Sequence, residues 1–183
     1  MTENYNPIGR WEDMYKKMPS SLPYGITNSY LLDVFFLDGL SLVEDWGCGT
    51  AYARSLFRKS KYIGIDGSHS RFCDVVDDLS KRKSNPDGIL LRHVLEHNLH
   101  WQSILENGFA CAKSRLVLNM FTPLVAQTEY AWDDNGFACI KFAKVDLLGC
   151  IPIDPTFECI VRQLDNEYWK SNAVDTIFVF DKL

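Results

Sequence analysis

The sequence lacks the features that mark several broad classes of protein. Basic residues are not in surplus: the 183-residue chain has a net charge of −5 and an isoelectric point near 5.3, whereas nucleic-acid-binding surfaces usually show a basic surplus. The longest apolar run, residues 30–43, is interrupted by Asp33 and Asp38 and cannot span a membrane. The chain opens with no basic segment followed by an apolar one, so no secretory signal is visible. We therefore expect no nucleic-acid partner and no membrane partner.

Cysteine patterns are missing as well. The six cysteines form no C-x-x-C pair and do not reach the density of a disulfide-rich protein. Several lie in apolar contexts, where cysteine behaves as a small hydrophobic residue. Reduced thiols in a cytoplasmic protein are the simplest interpretation. No cysteine pattern indicates a metal or radical mechanism.

Length and composition fit one globular domain. The chain has 46% hydrophobic and 13% aromatic residues, with no repeat or low-complexity segment. Apolar residues at helical spacing over residues 11–18 predict a first helix, and a second helix is expected near residues 28–37. We therefore expect a helical lead-in over residues 1–40, followed by an α/β core over residues 41–183.

The strongest functional signal lies in residues 42–66. An apolar strand leads to Asp45 and then to a tight glycine turn, Gly47-Cys48-Gly49. Apolar residues at helical spacing predict a helix over residues 51–57, and a second buried strand ends at Asp66. In such a unit the glycines let the backbone approach a nucleotide-like ligand. The acid after the second strand accepts hydrogen bonds from ribose hydroxyls.

Asp45-x-Gly47-x-Gly49 resembles the first motif of class I S-adenosylmethionine-dependent methyltransferases, and Asp66 resembles their second. The resemblance implies that the turn, including Cys48, faces the amino-acid part of the cofactor, and that Asp66 and the adjacent Gly67 lie at the ribose. Ala51 departs from the pattern, because methyltransferases usually have a third glycine there. A dinucleotide-binding fold is the nearest rival, but it requires a small residue where Tyr52 stands.

A second match follows about forty residues later. A buried strand over residues 88–91 runs into Arg92-His93-Val94-Leu95-Glu96-His97, which resembles the fourth-strand motif of the same methyltransferases. Ligands of open α/β sheets lie beyond the carboxyl ends of the strands, so Arg92 and His93 should face the reacting end of the cofactor. His93 is the first candidate for a general base or substrate aligner, and His97 is the second. A histidine bonded to backbone at a helix start is the structural alternative.

The same residues also spell H-x-x-E-H, the signature of a class of zinc peptidases. His93 and His97 on one helical face could bind zinc with Glu96 as general base, and Glu167 could be a third ligand. This alternative leaves the glycine turn and Asp66 unexplained. We therefore favour a site without a metal.

The segment after Asp66 is unusually short. Only residues 67–72 precede a short apolar segment at 73–76, whereas a parallel crossover normally needs a dozen or more residues. We expect a helix reduced to one turn and a short edge strand. The resemblance implies that Asp78 accepts from the exocyclic amine of adenine and that Leu79 lies against its ring. A plain turn acid is the alternative for Asp78.

The remaining pattern predicts a helix over residues 101–109, a strand over 116–121, a polar loop up to 135, a helix over 137–148 and strands over 156–164 and 174–180. The resemblance implies that the last two strands form an antiparallel hairpin, with the final strand beside strand five. We therefore expect a Rossmann-like three-layer α/β/α sandwich with a mostly parallel seven-stranded sheet.

The resemblance implies S-adenosylmethionine as cofactor and in-line methyl transfer to a small-molecule, sugar or lipid-linked acceptor, a reaction that depends mostly on alignment. Trp11 and Tyr15 either pack on the sheet edge or form a lid that contacts the substrate. A methyltransferase-like protein that binds cofactor or a partner without catalysis stays open as an alternative.

Overall fold

The computed structural model describes residues 7–18, 29–151, 157–161 and 175–182. The helices in this part of the chain are α1 (Pro7–Lys17), α2 (Ser29–Leu37), α3 (Trp101–Cys111) and α4 (Lys144–Gly149). The strands are β1 (Leu42–Trp46), β2 (Lys61–Asp66), β3 (Val75–Val76), β4 (Gly88–Arg92), β5 (Arg115–Met120), β6 (Glu129–Trp132), β7 (Ala138–Lys141), β8 (Phe157–Val161) and β9 (Thr176–Asp181).

Seven of these strands form one sheet in the order β3-β2-β1-β4-β5-β9-β8. Strands β1 to β5 are parallel, and β9 runs antiparallel to both β5 and β8. This confirms the Rossmann-like sheet and the closing hairpin. The strand order reverses between β1 and β4, which is the topological switch point where open α/β sheets bind ligands.

Both faces of the sheet are covered. Every residue of β4 is buried, as expected for a parallel strand with cover on both faces. On one face Ile89 and Leu91 pack in a cluster with residues of α3. On the other face Leu90 packs in a cluster with residues of α2, including Val34. The alternation of the β4 side chains between these clusters sets the register of the central strand.

The predicted helix over residues 51–57 is wrong. A single 3-10 turn, Tyr52–Ser55, takes its place. Gly49 and Ala51 both have left-handed backbone, with φ of 55° and 53°, and a left-handed residue does not continue a right-handed helix. Ala51 therefore stands outside any helix. Ala53 and Phe57 still pack into the apolar cluster on the α2 side of the sheet.

The crossover after β2 is also shorter than expected. The edge strand β3 is present and pairs in parallel with β2, but turns and bends take the place of the expected one-turn helix. The Asp66 carboxylate accepts from the Ser68 N–H at 2.8 Å, and the Ser70 hydroxyl accepts from the Phe72 N–H at 3.2 Å. Such local side-chain bonds compete with helix formation.

A β-hairpin replaces the predicted polar loop and the first part of the predicted helix over residues 137–148. Strands β6 and β7 pair antiparallel, and the helix α4 begins only at Lys144. The connecting turn is held by Asp133, whose Oδ1 accepts from the N–H groups of Asn135 at 2.9 Å and Phe137 at 2.8 Å. Gly136 supplies the positive φ, 74°, that such a turn needs.

Across the described residues, no helix has both the length and the apolar character that crossing a bilayer requires.

Candidate functional site

A large cavity, about 2050 Å³, lies beyond the carboxyl ends of the central strands. Sites for one drug-sized ligand are usually about 300–1,000 Å³, so this cavity has room for two ligands side by side. Every residue that the sequence singles out as a site residue lines it: Trp11, Tyr15, Asp45, Gly47, Cys48, Gly49, Asp66, Gly67, Asp78, Leu79, Arg92, His93 and His97. The fold therefore brings the predicted site residues together.

The glycine turn after β1 is anchored to the end of β2. The N–H groups of Gly47 and Cys48 both donate to the Ile65 carbonyl, at 2.7 and 3.0 Å. Gly47 has a φ of 77°, and a Cβ added there would lie 2.4 Å from Cγ2 of Val94. Glycine is therefore required at this position both by the backbone conformation and by the close approach of the segment after β4.

Asp66 joins the glycine turn to the loop after β2. Its carboxylate accepts from the Gly49 N–H at 3.0 Å and from the Ser68 N–H at 2.8 Å. Its exposed fraction is 6%. Burial raises the pKa of Asp66, while the backbone donors of Ser68 and Gly49 lower it. Asp66 thus holds two backbone segments of the cavity wall and presents an acceptor to the cavity.

Asp45 is the second buried acid of the cavity wall. The Tyr62 hydroxyl donates to its Oδ2 at 2.6 Å. Burial raises the pKa of Asp45 to about 6, and the Tyr62 hydrogen bond opposes that rise. At neutral pH the group is therefore largely ionised, and it can attract a cationic group of a ligand.

Helix α1 crosses the cavity and contacts both sides of it. Near the glycine turn, the Tyr15 hydroxyl would lie 3.3 Å from a Cβ placed on Gly49, and Glu12 accepts from the His69 N–H at 3.0 Å. On the opposite side, the Trp11 ring lies 4.4 Å from the Phe137 ring, centroid to centroid. Trp11 and Tyr15 therefore both line the cavity, and their role as a lid stays a prediction.

Arg92 belongs to a buried ionic cluster behind the cavity wall. Its Nε lies 3.2 Å from Asp33 Oδ2, its Nη2 donates to the Ser29 hydroxyl at 3.1 Å, and its guanidinium lies 3.6 Å from the centre of the Tyr30 ring. Asn119 donates to both Asp33 oxygens, at 3.0 and 2.9 Å. Arg92 thus ties α2 to the end of β4 as well as lining the cavity.

Both ring nitrogens of His93 face protein groups. An Arg92 N–H donates to Nδ1 at 3.0 Å, which places the ring proton on Nε2, since arginine can only donate. Nε2 lies 3.5 Å from Asp175 Oδ1. Burial and the neighbouring Arg92 lower the pKa of His93 to about 4. His93 is therefore neutral at pH 7, and this arrangement suits positioning better than proton transfer to or from a ligand.

His97 is held by a hydrogen bond between its Nδ1 and strand β7. Its Nδ1 lies 2.6 Å from the Ala138 carbonyl oxygen, so Nδ1 carries the proton and Nε2 carries the lone pair. Burial lowers the pKa of His97, and the ring is therefore neutral at pH 7. Its ring lies 5.2 Å from that of Trp11 and 5.4 Å from that of Phe121.

The described residues do not show the geometry that the zinc-peptidase alternative requires of His93 and His97. His93, with a φ of 56°, lies outside any helix, and only Leu95–His97 form a 3-10 turn. The two histidines therefore do not share a helical face. No group of three potential metal ligands occurs among the described residues, and Glu167 lies outside them.

Comparison with known proteins rests on structure alone. The sequence matches no protein-family model and no curated protein. Magnesium protoporphyrin IX methyltransferase (ChlM) from Synechocystis PCC 6803, solved with S-adenosylmethionine, is 15% identical with a TM-score of 0.62, and the match covers 100% of both chains. The 1,6-didemethyltoxoflavin-N1-methyltransferase of Burkholderia thailandensis, solved with S-adenosylhomocysteine, is 13% identical with a TM-score of 0.63, covering 96% of this chain and 84% of that one.

The chain has the fold of class I S-adenosylmethionine-dependent methyltransferases. This fold does not by itself specify methyl transfer. The cyclase SpnF is a structural neighbour too, with 12% identity, a TM-score of 0.63 and coverage of 96% of this chain and 92% of that one. Function must therefore be argued from the site.

On this methyltransferase fold, the predicted adenine contacts lie after β3. Leu79 is buried, with an exposed fraction of 7%. Asp78 is exposed, accepts from the Ser80 hydroxyl at 2.6 Å and pairs with Lys81 at 2.8 Å. Both residues line the cavity, and their contact with adenine stays a prediction.

Sequence reasoning missed several residues of the methyltransferase-fold site. Asp33, the partner of Arg92, and Asp175, the partner of His93, come from opposite ends of the chain. Asp33 is the single acid of the apolar segment Ser29–Leu37. This position could have indicated a buried carboxylate, which requires a partner. The aromatic rings of Phe121 and Phe137 were missed because the hairpin was missed.

Glu96 makes the free energy of unfolding of the protein depend on pH. It is fully buried, Oε1 accepts from the Phe121 N–H at 2.7 Å, and Oε2 has no hydrogen-bond partner within the described chain. Burial raises the pKa of Glu96 from 4.5 to about 8. The folded state therefore holds this proton more tightly than the unfolded state. The resulting stability is complete below about pH 4.5 and is lost as the pH rises through 8.

We expect Glu96→Gln to match the wild type in urea unfolding near pH 5. Near pH 8.5 the variant should be more stable by at least about 2 kcal/mol, because the buried amide does not ionise. Glu106→Gln, at an exposed position of α3, is the control and should change neither value. Equal stability of Glu96→Gln and wild type at both pH values would contradict the prediction.

Proposed function

We propose that this protein is an S-adenosylmethionine-dependent methyltransferase that acts on a small-molecule acceptor. The observation that carries the proposal is the arrangement at the switch point: a glycine turn anchored to Asp66 lines one cavity of about 2050 Å³, which is larger than one ligand needs. The two methyltransferase neighbours act on small molecules according to their names. We infer one methyltransferase domain over residues 1–183, acting in the cytoplasm without a nucleic-acid or membrane partner.

The residues present fit the cofactor. Gly47 and Gly49 line the cavity beside Asp45 and Asp66, and these acids suit a ligand with cationic sulfonium and ammonium groups. Asp45 would bind the ammonium group, Asp66 the ribose, and Asp78 with Leu79 the adenine. The cofactor supplies an already activated methyl group, so the protein's contribution is mainly alignment of the acceptor.

His97 is the better candidate for a general base. Its ring lines the cavity, and the hydrogen bond from Nδ1–H to the Ala138 carbonyl fixes the orientation of the ring. His93 would position the neighbouring groups, since its nitrogens face Arg92 and Asp175. Trp11 and Tyr15 would close the acceptor compartment from above.

Calorimetric titration with S-adenosylhomocysteine tests the proposal. We expect micromolar binding by the wild type and at least about tenfold weaker binding by Asp66→Asn, since hydrogen bonds to a charged acceptor are worth about 1.5–3 kcal/mol each. Asp13→Asn, on the exposed side of α1, is the control and should bind as tightly as wild type. Absence of binding by the wild type, or unchanged binding by Asp66→Asn, would refute the cofactor assignment.

A cofactor-binding protein without methyl transfer is the second candidate. It is favoured by one observation, the reduction of the segment after the glycine turn to one 3-10 turn. Binding of S-adenosylhomocysteine together with no methyl transfer to any acceptor tested would support it.

A further inference from the structure

Asp133 lies directly after β6 and lines the cavity. Its Oδ1 accepts from the N–H groups of Asn135 and Phe137, at 2.9 and 2.8 Å. Among the described residues, its Oδ2 has no hydrogen-bond or ionic partner. The hairpin turn therefore holds the carboxylate in place through one oxygen and leaves the other oxygen available to a ligand.

Asp133 lies on the side of the cavity opposite the glycine turn. Phe137, whose N–H it accepts, contacts the Trp11 ring with a centroid distance of 4.4 Å. Asp133 is also within electrostatic range of His97. Burial lowers the pKa of His97, and the negative charge of Asp133 is one of the effects that oppose this shift. Asp133 is thus placed beside the acceptor rather than beside the proposed cofactor residues.

The other acids of the cavity are already accounted for. Five aspartates line it in the described part of the chain: Asp45, Asp66, Asp77, Asp78 and Asp133. Asp77 pairs with Arg82 at 2.8 Å. Asp78 pairs with Lys81 at 2.8 Å. The proposed function assigns the two acids near the glycine turn to the cofactor, so Asp133 is the acid left for another ligand.

No cation of the described chain neutralises Asp133. The only lysine and arginine among the described lining residues are Lys81, which pairs with Asp78, and Arg92, which pairs with Asp33. Arg10 of α1 donates to the Asn135 carbonyl in the same turn but forms no ion pair with Asp133. An anionic group here would be repelled, whereas a cationic group would be attracted.

The cavity mouth next to Asp133 is apolar. Tyr130 and Trp132 of β6 and Ile8 of α1 line the cavity and are unusually exposed for large apolar residues, at 56%, 46% and 44%. Exposed apolar groups clustered at a cavity mark a ligand site more often than isolated ones do. The faces of aromatic rings also attract cations. The mouth therefore suits a ligand that joins an apolar body to a positive charge.

We propose that the methyl acceptor is an amine-bearing molecule with an apolar body, and that Asp133 binds its ammonium group. This inference rests on the proposed function and specifies its acceptor. A carboxylate that two backbone donors already hold in place accepts a charge-assisted hydrogen bond with little further loss of conformational freedom. An ammonium nitrogen has no lone pair, so this group anchors the acceptor and another of its atoms takes the methyl group.

Three probes with one skeleton test the inference on the full chain saturated with S-adenosylhomocysteine, which occupies the cofactor acids. Tryptamine is the cationic probe, tryptophol is its neutral hydroxyl analogue, and indole-3-acetate is the anionic one. The titrations are made at about pH 7.5, where an alkylamine is cationic and an ordinary histidine is mostly neutral. We expect tryptamine to bind at least about tenfold more tightly than either of the others.

One variant connects this preference to Asp133. Asp133→Asn keeps a side-chain oxygen for the two N–H groups of the turn but removes the charge. It should weaken tryptamine binding about tenfold and leave tryptophol binding, S-adenosylhomocysteine binding and the unfolding temperature unchanged. Asp134→Asn is the matched control: it removes the same charge from the next residue, which is exposed and does not line the cavity. It should change none of these values.

Equal or tighter binding of tryptophol or indole-3-acetate, no binding of tryptamine, or an undiminished preference for tryptamine in Asp133→Asn would overturn the inference. These results would leave the proposed function standing. Failure of S-adenosylhomocysteine to bind would instead refute the proposed function.

Discussion

Replacing Gly47 with alanine is expected to destabilise the protein by about 3 kcal/mol and to abolish cofactor binding. A non-glycine residue in left-handed backbone costs about 1–2 kcal/mol, and Gly47 has a φ of 77°. The new Cβ would also lie 2.4 Å from Cγ2 of Val94, a buried residue of the core. Overpacking of this kind costs about 1–3 kcal/mol. Urea unfolding and titration with S-adenosylhomocysteine measure the two effects.

A double-mutant cycle separates the two causes. Val94→Ala removes the steric conflict but not the backbone strain, so the Gly47→Ala/Val94→Ala protein should recover about 1–2 kcal/mol relative to the sum of the single changes. Gly149→Ala is the matched control, because nothing lies within 4 Å of a Cβ at that position. Wild-type stability of Gly47→Ala would show that the turn does not require glycine.

Replacing Arg92 with methionine should have a similarly large effect, a loss of about 3–5 kcal/mol. Arg92 and Asp33 have side-chain exposures of 4% and 0%, so removing the arginine leaves a buried carboxylate without its ionic partner. Burial raises the pKa of Asp33 to about 7, and Arg92 opposes that rise. In the variant the pKa of Asp33 should rise further, and protonation then relieves part of the cost at low pH.

The loss caused by Arg92→Met should therefore be smaller near pH 5.5 than near pH 8.5, as measured by urea unfolding at both pH values. Arg54→Met is a matched control of the same residue type. Arg54 is also ion-paired and lies over a tyrosine ring, but its side chain is 44% exposed. We expect that change to cost about 1 kcal/mol or less. Equal losses at the two arginines, or no pH dependence at Arg92, would show that the cluster does not act through buried charge.

Much of the sheet was predictable because parallel strands covered on both faces read as short apolar runs between turn residues. The segment Gly88–Arg92 is an example, since all five residues are buried. The glycine turn was predictable for a local reason as well, because Gly47 and Gly49 adopt positive φ. The structure after the glycine turn was not predictable from the same pattern. Ala53 and Phe57 have helical spacing, but they pack into the apolar cluster on the sheet from a segment that is not an α-helix.

The hairpin β6–β7 shows a different limit. The apolar spacing around Ile140 fits a helix and a strand about equally over so short a segment. What decided between them was the turn held by the Asp133 carboxylate, together with Gly136 at a positive φ. Because the hairpin was missed, the contact of the Phe137 ring with the Trp11 ring was missed with it.

By itself, the sequence determined the Rossmann-like core, the position of its switch point, and the acids and glycines that line the switch point. Each of these features depends on a pattern of a few neighbouring residues. Only the tertiary structure decided what those residues face. The contact of Asp33 with Asn119 joins positions 86 apart, and that of Ser29 with Asp175 joins positions 146 apart. A buried charged group requires a hydrogen-bonding or ionic partner. The residues next to it in sequence do not indicate which distant residue is that partner. For the same reason, the contacts of the His93 and His97 ring nitrogens are defined only in the folded chain.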